Sequence, residues 1–240
     1  MGLFDKKYCD ICGEKIGLLG NRKLEDGNMC KDCAKKLSPF MTDRRQSTLA
    51  EIKEHLAYRE ANKEKVAAFQ ATKVVGGETK IYFDENKKQW LVTRLRDWRS
   101  ENPDIMDFSQ VTGCILDIDE SKTEIYNERA DRIHESFNPP RYEYAYAFKM
   151  TIHVSSPWFS EIQFRLDDSV INQRGGIAYR EAQAKADEIK KTLEQIRDAE
   201  RETMNAANKP RVAVECPHCH ATTMPDANGC CEYCGGALGN

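Results

Sequence analysis

Tyr142-Glu143-Tyr144-Ala145-Tyr146-Ala147-Phe148-Lys149-Met150-Thr151-Ile152-His153-Val154 is the stretch that decides the fold. Within it Tyr142, Tyr144, Tyr146, Phe148, Met150, Ile152 and Val154 fall on every second position. Side chains of a strand alternate between its two faces, so this pattern predicts a long strand with one buried face. After Ser156-Pro157, Ile162, Phe164 and Leu166 alternate in the same way. Upstream, Ile81-Tyr82-Phe83 and Trp90-Leu91-Val92 flank the polar turn Asp84-Glu85-Asn86-Lys87-Lys88, the pattern of a hairpin. Ile105 to Ile118 reads as a further strand pair or one bent strand, with Gly113 marking a kink or bulge. Downstream, Ala182, Ala186, Ile189, Leu193 and Ile196 recur at alternating intervals of four and three, the stripe of an amphipathic helix. Strands followed by one packing helix define an α+β class: an antiparallel, β-rich middle domain, expected as a curved sheet, ending in a C-terminal helix.

Cysteines mark what flanks that middle. Of ten in the chain, nine lie at residues 9–33 and 216–234, with Cys114 alone between them. No apolar run reaches the ~20 residues of a membrane-spanning helix. The opening Met1-Gly2-Leu3-Phe4-Asp5-Lys6-Lys7 lacks the apolar core of a signal peptide and carries Lys6 where a myristoylation pattern wants Ser or Thr. The expected location is therefore cytoplasmic, and a reducing compartment turns paired cysteines toward metal ligation rather than disulfides.

Cys9-Asp10-Ile11-Cys12-Gly13 is followed, after 17 residues, by Cys30-Lys31-Asp32-Cys33. A CxxC pair supplies two soft ligands from one tight turn, and two pairs complete a tetrahedral zinc site. Glycine after the second cysteine lets the backbone turn under the metal, and Asp26-Gly27 is a hairpin signal between the pairs. With a short helix expected after Cys33, the order is knuckle, hairpin, helix, a treble-clef-like finger. At the other end, Cys216-Pro217-His218-Cys219 and Cys231-Glu232-Tyr233-Cys234 are separated by 11 residues and read as a zinc ribbon. Choosing Cys231 keeps the CxxC spacing and leaves Cys230 outside the set; His218 and His220 are substitute ligands. Iron is the alternative metal at this second site, because rubredoxin-type centres use similar paired knuckles. Both sites, closed by four cysteines, are expected to be structural. Cys114, within an apolar run, reads as a buried small hydrophobe.

Between finger and middle domain, Thr42 to about Ala71 reads as a partly exposed connecting helix. Thr48 and Glu51 fit a capping box, and Leu49, Ile52, Leu56, Val66 and Phe69 roughly share one face interrupted by charge. The expected organisation is a finger over residues 1–41, a connecting helix over 42–71, an α+β domain over 72–207 and a ribbon over 208–240. Asn205 to Pro210 is the expected linker to the ribbon.

The frame from Cys9-Asp10-Ile11-Cys12-Gly13-Glu14-Lys15-Ile16-Gly17 through Asn28-Met29-Cys30-Lys31-Asp32-Cys33 resembles a bacterial family whose members open with a four-cysteine domain of unknown function. The resemblance covers roughly residues 8–55 and implies zinc binding without an activity. Asn102-Pro103-Asp104-Ile105 to Gln110-Val111-Thr112-Gly113 looks like a recurring element of the β-rich region that follows in such members. That middle region is similar to bacterial pleckstrin-homology-like domains, which implies curved sheets closed by a C-terminal helix. The tail resembles the zinc ribbons appended to many bacterial proteins.

No P-loop, GxGxxG or HExxH is present. His55, His134, His153, His218 and His220 have no nucleophile or carboxylate pair beside them in sequence, and His153 falls in the exposed phase of its strand. The expected function is non-enzymatic: a zinc-binding scaffold or adaptor for a protein partner. Residues 1–40 hold eight Lys/Arg against six Asp/Glu, and residues 208–240 two against three, far from a dedicated nucleic-acid footprint. Three other readings remain open on residues. Lys87-Lys88 is the candidate contact to an anionic membrane surface; Lys209, Arg211 and Tyr233 are the candidates for nucleic acid; and the CxxC pairs allow a redox sensor. The tyrosine run Tyr142, Tyr144, Tyr146 with Phe148 reads as core, with a ligand groove as the alternative.

Overall fold

A computed structural model describes residues 7–128, 134–207, 213–226 and 229–238. In the finger, β1 (Lys7–Tyr8) pairs with β2 (Lys15–Ile16), and β3 (Arg22–Lys23) with β4 (Asn28–Met29), all antiparallel. A one-turn helix, α1 (Lys31–Ala34), follows, and Cys30 Sγ caps it by accepting from the Cys33 amide. The connecting helix is α2 (Leu49–Ala68). Residues 42–48, expected as helix, are instead turns, with Gln46 N bonded to Asp43 O and Ser47 N to Arg44 O. The helix begins where Thr48 and Glu51 form the reciprocal capping box, which satisfies two amides that the first turn leaves unpaired.

The β-rich region is an α+β assembly of antiparallel sheets. β5 (Lys73–Gly76), β6 (Lys80–Asp84), β7 (Gln89–Thr93) and β8 (Met106–Asp107) form a four-stranded meander. β9 (Val111–Glu128), β10 (His134–Val154) and β11 (Glu161–Arg165) form a three-stranded sheet with β10 in the centre. α3 (Ile177–Ala207) closes them, its buried Tyr179, Ala182, Ala186, Ile189 and Leu193 sharing one core with Ile81, Phe83, Trp90, Phe148, Met150 and Ile152. The buried stripe is the one its spacing predicts. Asn205, expected as the start of a linker, lies inside α3.

β9 and β10 run on past that core. Ile118 pairs with Phe148, and pairing continues through Glu124↔Tyr142 to Glu128↔His134, with a break between Ser136 and Arg141. Pro139 and Pro140 stand in that break, where neither has an amide to donate. The tyrosine run therefore has two environments. Tyr146 is buried against Tyr179, Tyr144 is half-buried, and Tyr142 is 40% exposed, not core. Alternation continues because the strand does; burial stops because the packing layer ends.

α2 joins two cores. Ile52 is buried with Leu24, Met29, Leu37, Cys9 and Cys33, whereas Val66 and Phe69 pack with Leu91, Trp98 and Ile105 of the sheet region. Between them the buried positions are His55, Arg59 and Asn62, so the helix face is continuous but polar in its middle. Arg59 reaches Asp104 Oδ1 at 2.7 Å and Asn102 O at 2.5 Å, and Ser38 Oγ donates to Asp104 Oδ2 at 2.8 Å. Asn62 Nδ2 donates to Asn102 Oδ1 and Pro103 O, while its Oδ1 accepts from the Ile105 amide. The Asn102–Ile105 segment is thus fastened to the helix, and every bond falls on a group that burial would otherwise leave costly. Counting apolar residues alone could not reveal this face.

The chain divides into two units, residues 1–198 and 199–240, with the boundary inside α3. In the second, β12 (Val214–Glu215) pairs with β13 (Thr222–Thr223), and Leu238 is buried with Cys216 and Cys231. Among the described residues no helix is long and apolar enough to cross a membrane.

Candidate metal centres

Three of the four CxxC pairs adopt one backbone design. In the first, Cys9 O accepts from Gly13 N at 2.8 Å and Cys9 N donates to Glu14 O at 2.9 Å. The same two bonds recur from Cys216 to His220 and Ala221, and from Cys231 to Gly235 and Gly236. The residue closing each loop has positive φ: Gly13 at 76°, His220 at 59° and Gly235 at 71°. Glycine reaches that region at no steric cost, whereas His220 does so with a Cβ in place. The fourth pair is built differently, with Cys30 at the N-cap and Cys33 inside α1. One knuckle plus one helix makes the first site; two knuckles make the second.

The sulfurs converge. Cys9, Cys12, Cys30 and Cys33 have all their Sγ atoms within 4.8 Å of one another, and so do Cys216, Cys219, Cys231 and Cys234. Cys12–Cys30 is 3.8 Å, Cys216–Cys234 is 3.5 Å and Cys219–Cys231 is 3.7 Å. Four thiolates about 2.3 Å from a tetrahedral ion stand about 3.8 Å apart, and a disulfide would need about 2.05 Å. All eight cysteines are free thiols spaced for a metal ion.

Charge follows geometry. Burial pushes the Cys9 thiol up, but amides of Cys12, Cys30 and Ile11 outweigh it and bring its pKa to about 6. In the second site burial likewise opposes ionisation of Cys216, and the Cys219 and His218 amides carry it to about 6. Cys33 is pushed up by burial and then by bonds to Cys30, Cys12 and Cys9. Cys234 is pulled down by the Gly236 amide and pushed up, on balance to about 12, by the neighbouring thiols. Cys9 and Cys216 thus ionise readily, whereas Cys12 and Cys33 in the first tetrad and Cys219 and Cys234 in the second resist, because further thiolates crowd together without a cation. A divalent cation would remove that penalty, and amide-to-sulfur bonds such as Cys30 N to Cys9 Sγ at 3.2 Å would steady the ligands.

Residues 7–55 match the family model described as Domain of unknown function (DUF4428). The match spans about a fifth of the chain. No curated protein and no solved structure matches this sequence. The DUF4428 segment ends within α2, which has a physical reason. Leu49, Ile52 and Leu56 pack on the finger core, and Asp26 Oδ1 accepts from the Leu49 amide at 2.7 Å. The first turns of α2 belong to the finger.

The other flagged residues lie elsewhere. His218 and His220 stand outside the second tetrad; the His218 ring covers Gly236, where a Cβ would collide with it, and His220 Nδ1 lies 3.2 Å from Glu215 Oε1. Cys230 also lies outside the tetrad, its amide bonded to Asp226 Oδ1. Cys114 is half-buried against the main core, where burial pushes its thiol up to about 11. His153 is half-buried beside Gly113 rather than fully solvated. Lys87 Nζ donates to Ala68 O at the end of α2. Tyr233 is exposed, while Lys209 and Arg211 lie outside the described residues. His55, which in sequence has no catalytic neighbour, has a defined place in the fold. It is fully buried, stacked on Trp158 at 4.9 Å, with Nε2 unpartnered and Nδ1 3.1 Å from Met41 Sδ.

Proposed function

We propose that this chain is a non-catalytic, zinc-stabilised cytoplasmic scaffold that binds a protein partner. The observation that carries the reading is the pair of all-cysteine tetrads, whose sulfur spacing suits tetrahedral zinc. Four thiolates fill a zinc ion's coordination, leaving no position for substrate or activated water, so such centres hold structure instead of performing chemistry. The sequence of a four-stranded sheet, a three-stranded sheet and a closing helix supports the pleckstrin-homology-like reading of the middle region.

The part of β9–β10 beyond the core supports a protein partner. It exposes Ile125, Tyr126 and Tyr142, with the Lys122 ammonium 3.7 Å from the Tyr142 ring centroid. Tyrosines of this kind, apolar in body and polar at the tip, are enriched where proteins meet. A redox-sensor reading competes through the low pKa of Cys9 and Cys216.

Elemental mass spectrometry on protein purified without added metal, with thiol titration of the native chain, separates these. Two zinc ions per chain and slow-reacting ligand thiols support the scaffold; iron at the second site would show by its visible absorbance. Metal-free protein whose CxxC thiols cycle to disulfides would replace it with the sensor. For the partner, a photo-crosslinker at position 142 is expected to give a defined protein adduct in cells, with none from position 170. Equal labelling from both positions, or none, sinks the partner surface.

A further inference from the structure

In the finger, the turn between β2 and β3 carries two leucines with almost nothing on them: Leu18 is 93% exposed and Leu19 89%. The turn is closed by Gly20 N donating to Gly17 O at 3.0 Å, and Arg22 Nη1 donates to Leu19 O and Asn21 O, both at 3.3 Å. It is a braced protrusion, with no wall around its tip. Lys15 and Arg22 flank it in sequence, Lys23 follows, and Arg44 Nη1 donates to Lys23 O at 2.8 Å, with Arg45 next in the chain. None of these five cations forms an ion pair among the described residues. The acids nearest in sequence, Glu14, Glu25, Asp26 and Asp43, number four, and Asp26 accepts from the Leu49 amide. Burial and then the charges of Arg22 and Arg45 push the Arg44 pKa down, so both lie within electrostatic reach of Arg44.

We propose that the Leu18-Leu19 tip and the cations around it dock the finger on a bilayer containing anionic phospholipid. An apolar tip with positive charge at its base matches a surface that is negative at the headgroups and apolar just beneath. The partner chemistry follows from both parts together. Leucine side chains gain by leaving water, and Lys and Arg gain from the anionic leaflet without hydrogen-bond geometry. This site is distinct from Lys87-Lys88, and it goes beyond the protein-partner reading without depending on it.

The test is flotation of the full metal-loaded chain with phosphatidylcholine vesicles and with vesicles that also contain phosphatidylserine. Binding is expected only to the second kind, weakening as salt rises. Leu18→Ser with Leu19→Ser should weaken partitioning by roughly 100-fold, since two buried leucines are lost. Lys23→Glu with Arg45→Glu should weaken it by at least about tenfold and flatten the salt dependence. Unchanged metal content and circular dichroism in both variants keep the result from being a folding defect. Failure of the parent chain to float at low salt overturns the proposal. So does equal flotation without phosphatidylserine, or a leucine variant that floats like the parent. Leucine-dependent capture of a protein in the absence of vesicle binding would reassign the tip to a protein pocket. The position-142 crosslink is read separately, so either surface can fail alone.

Discussion

His55→Phe tests whether a buried imidazole makes this protein acid-sensitive. The ring lies between α2 and Trp158, and burial first, then Arg59, lowers its pKa to about 4, with Asp43 pulling weakly the other way. An unfolded histidine takes its proton near pH 6.5. Between those two values the unfolded chain binds a proton that the folded chain refuses. Stability is therefore fully present above about pH 6.5 and drains away as pH falls towards about 4, the sign linkage requires for a depressed histidine. With a folded pKa of about 4, the loss is about 2 kcal/mol at about pH 5 and approaches about 3 kcal/mol below it. Phenylalanine keeps the stacking partner for Trp158 and removes the buried, unpartnered Nε2. Its extra volume will shift absolute stability, so the readout is the slope with pH. Urea denaturation of both proteins at about pH 7.5 and about pH 5 should show the parent losing about 2 kcal/mol more than the variant. Acid also reaches the cysteine ligands, but it does so in both proteins, and the difference isolates position 55. Equal losses in the two proteins would refute the reasoning.

Arg59→Met leaves Asp104 buried without its cation and should cost about 3–5 kcal/mol in urea denaturation. Adding Asp104→Leu should restore much of that loss, because an apolar pair has no charge to strand. Cys33→Ser should halve the zinc found by elemental analysis and lower the thermal midpoint, while Cys114→Ser should leave zinc content unchanged. His220→Gly relieves a Cβ held at positive φ and should raise stability of the second unit by about 1 kcal/mol, measured by resistance to chelator-driven unfolding. Gly236→Ala at the same centre should act in the opposite direction by pushing on the His218 ring.

The two tetrads were legible because a CxxC knuckle is made by six consecutive residues, and local spacing determines local geometry. The strands and the α3 stripe were legible for the same reason: each pattern belongs to a single element. What escaped depends on neighbours distant in sequence. The alternation at Tyr142 continues unchanged past the point where α3 ceases to cover the sheet. Arg59 and Asn62 looked like breaks in an apolar face, and only Asp104 and Asn102, some 40 residues away, make them its centre. Likewise Leu18 and Leu19 resemble ordinary turn residues until the fold leaves them without company.

α2 has one further consequence. It is a rod of 20 residues, about 30 Å long, set in the finger at one end and in the sheet region at the other. Helical phase is therefore shared between the two bodies. Inserting a single residue between Ile52 and Val66 would rotate one end by about 100° against the other and tear His55, Arg59 or Asn62 from its partners. Seven inserted residues, about two full turns, would nearly restore the angle while separating the bodies by about 10 Å. Length variation along this helix is thus confined to steps near whole turns, and cutting the chain at residue 55 would divide a structural member rather than release a module.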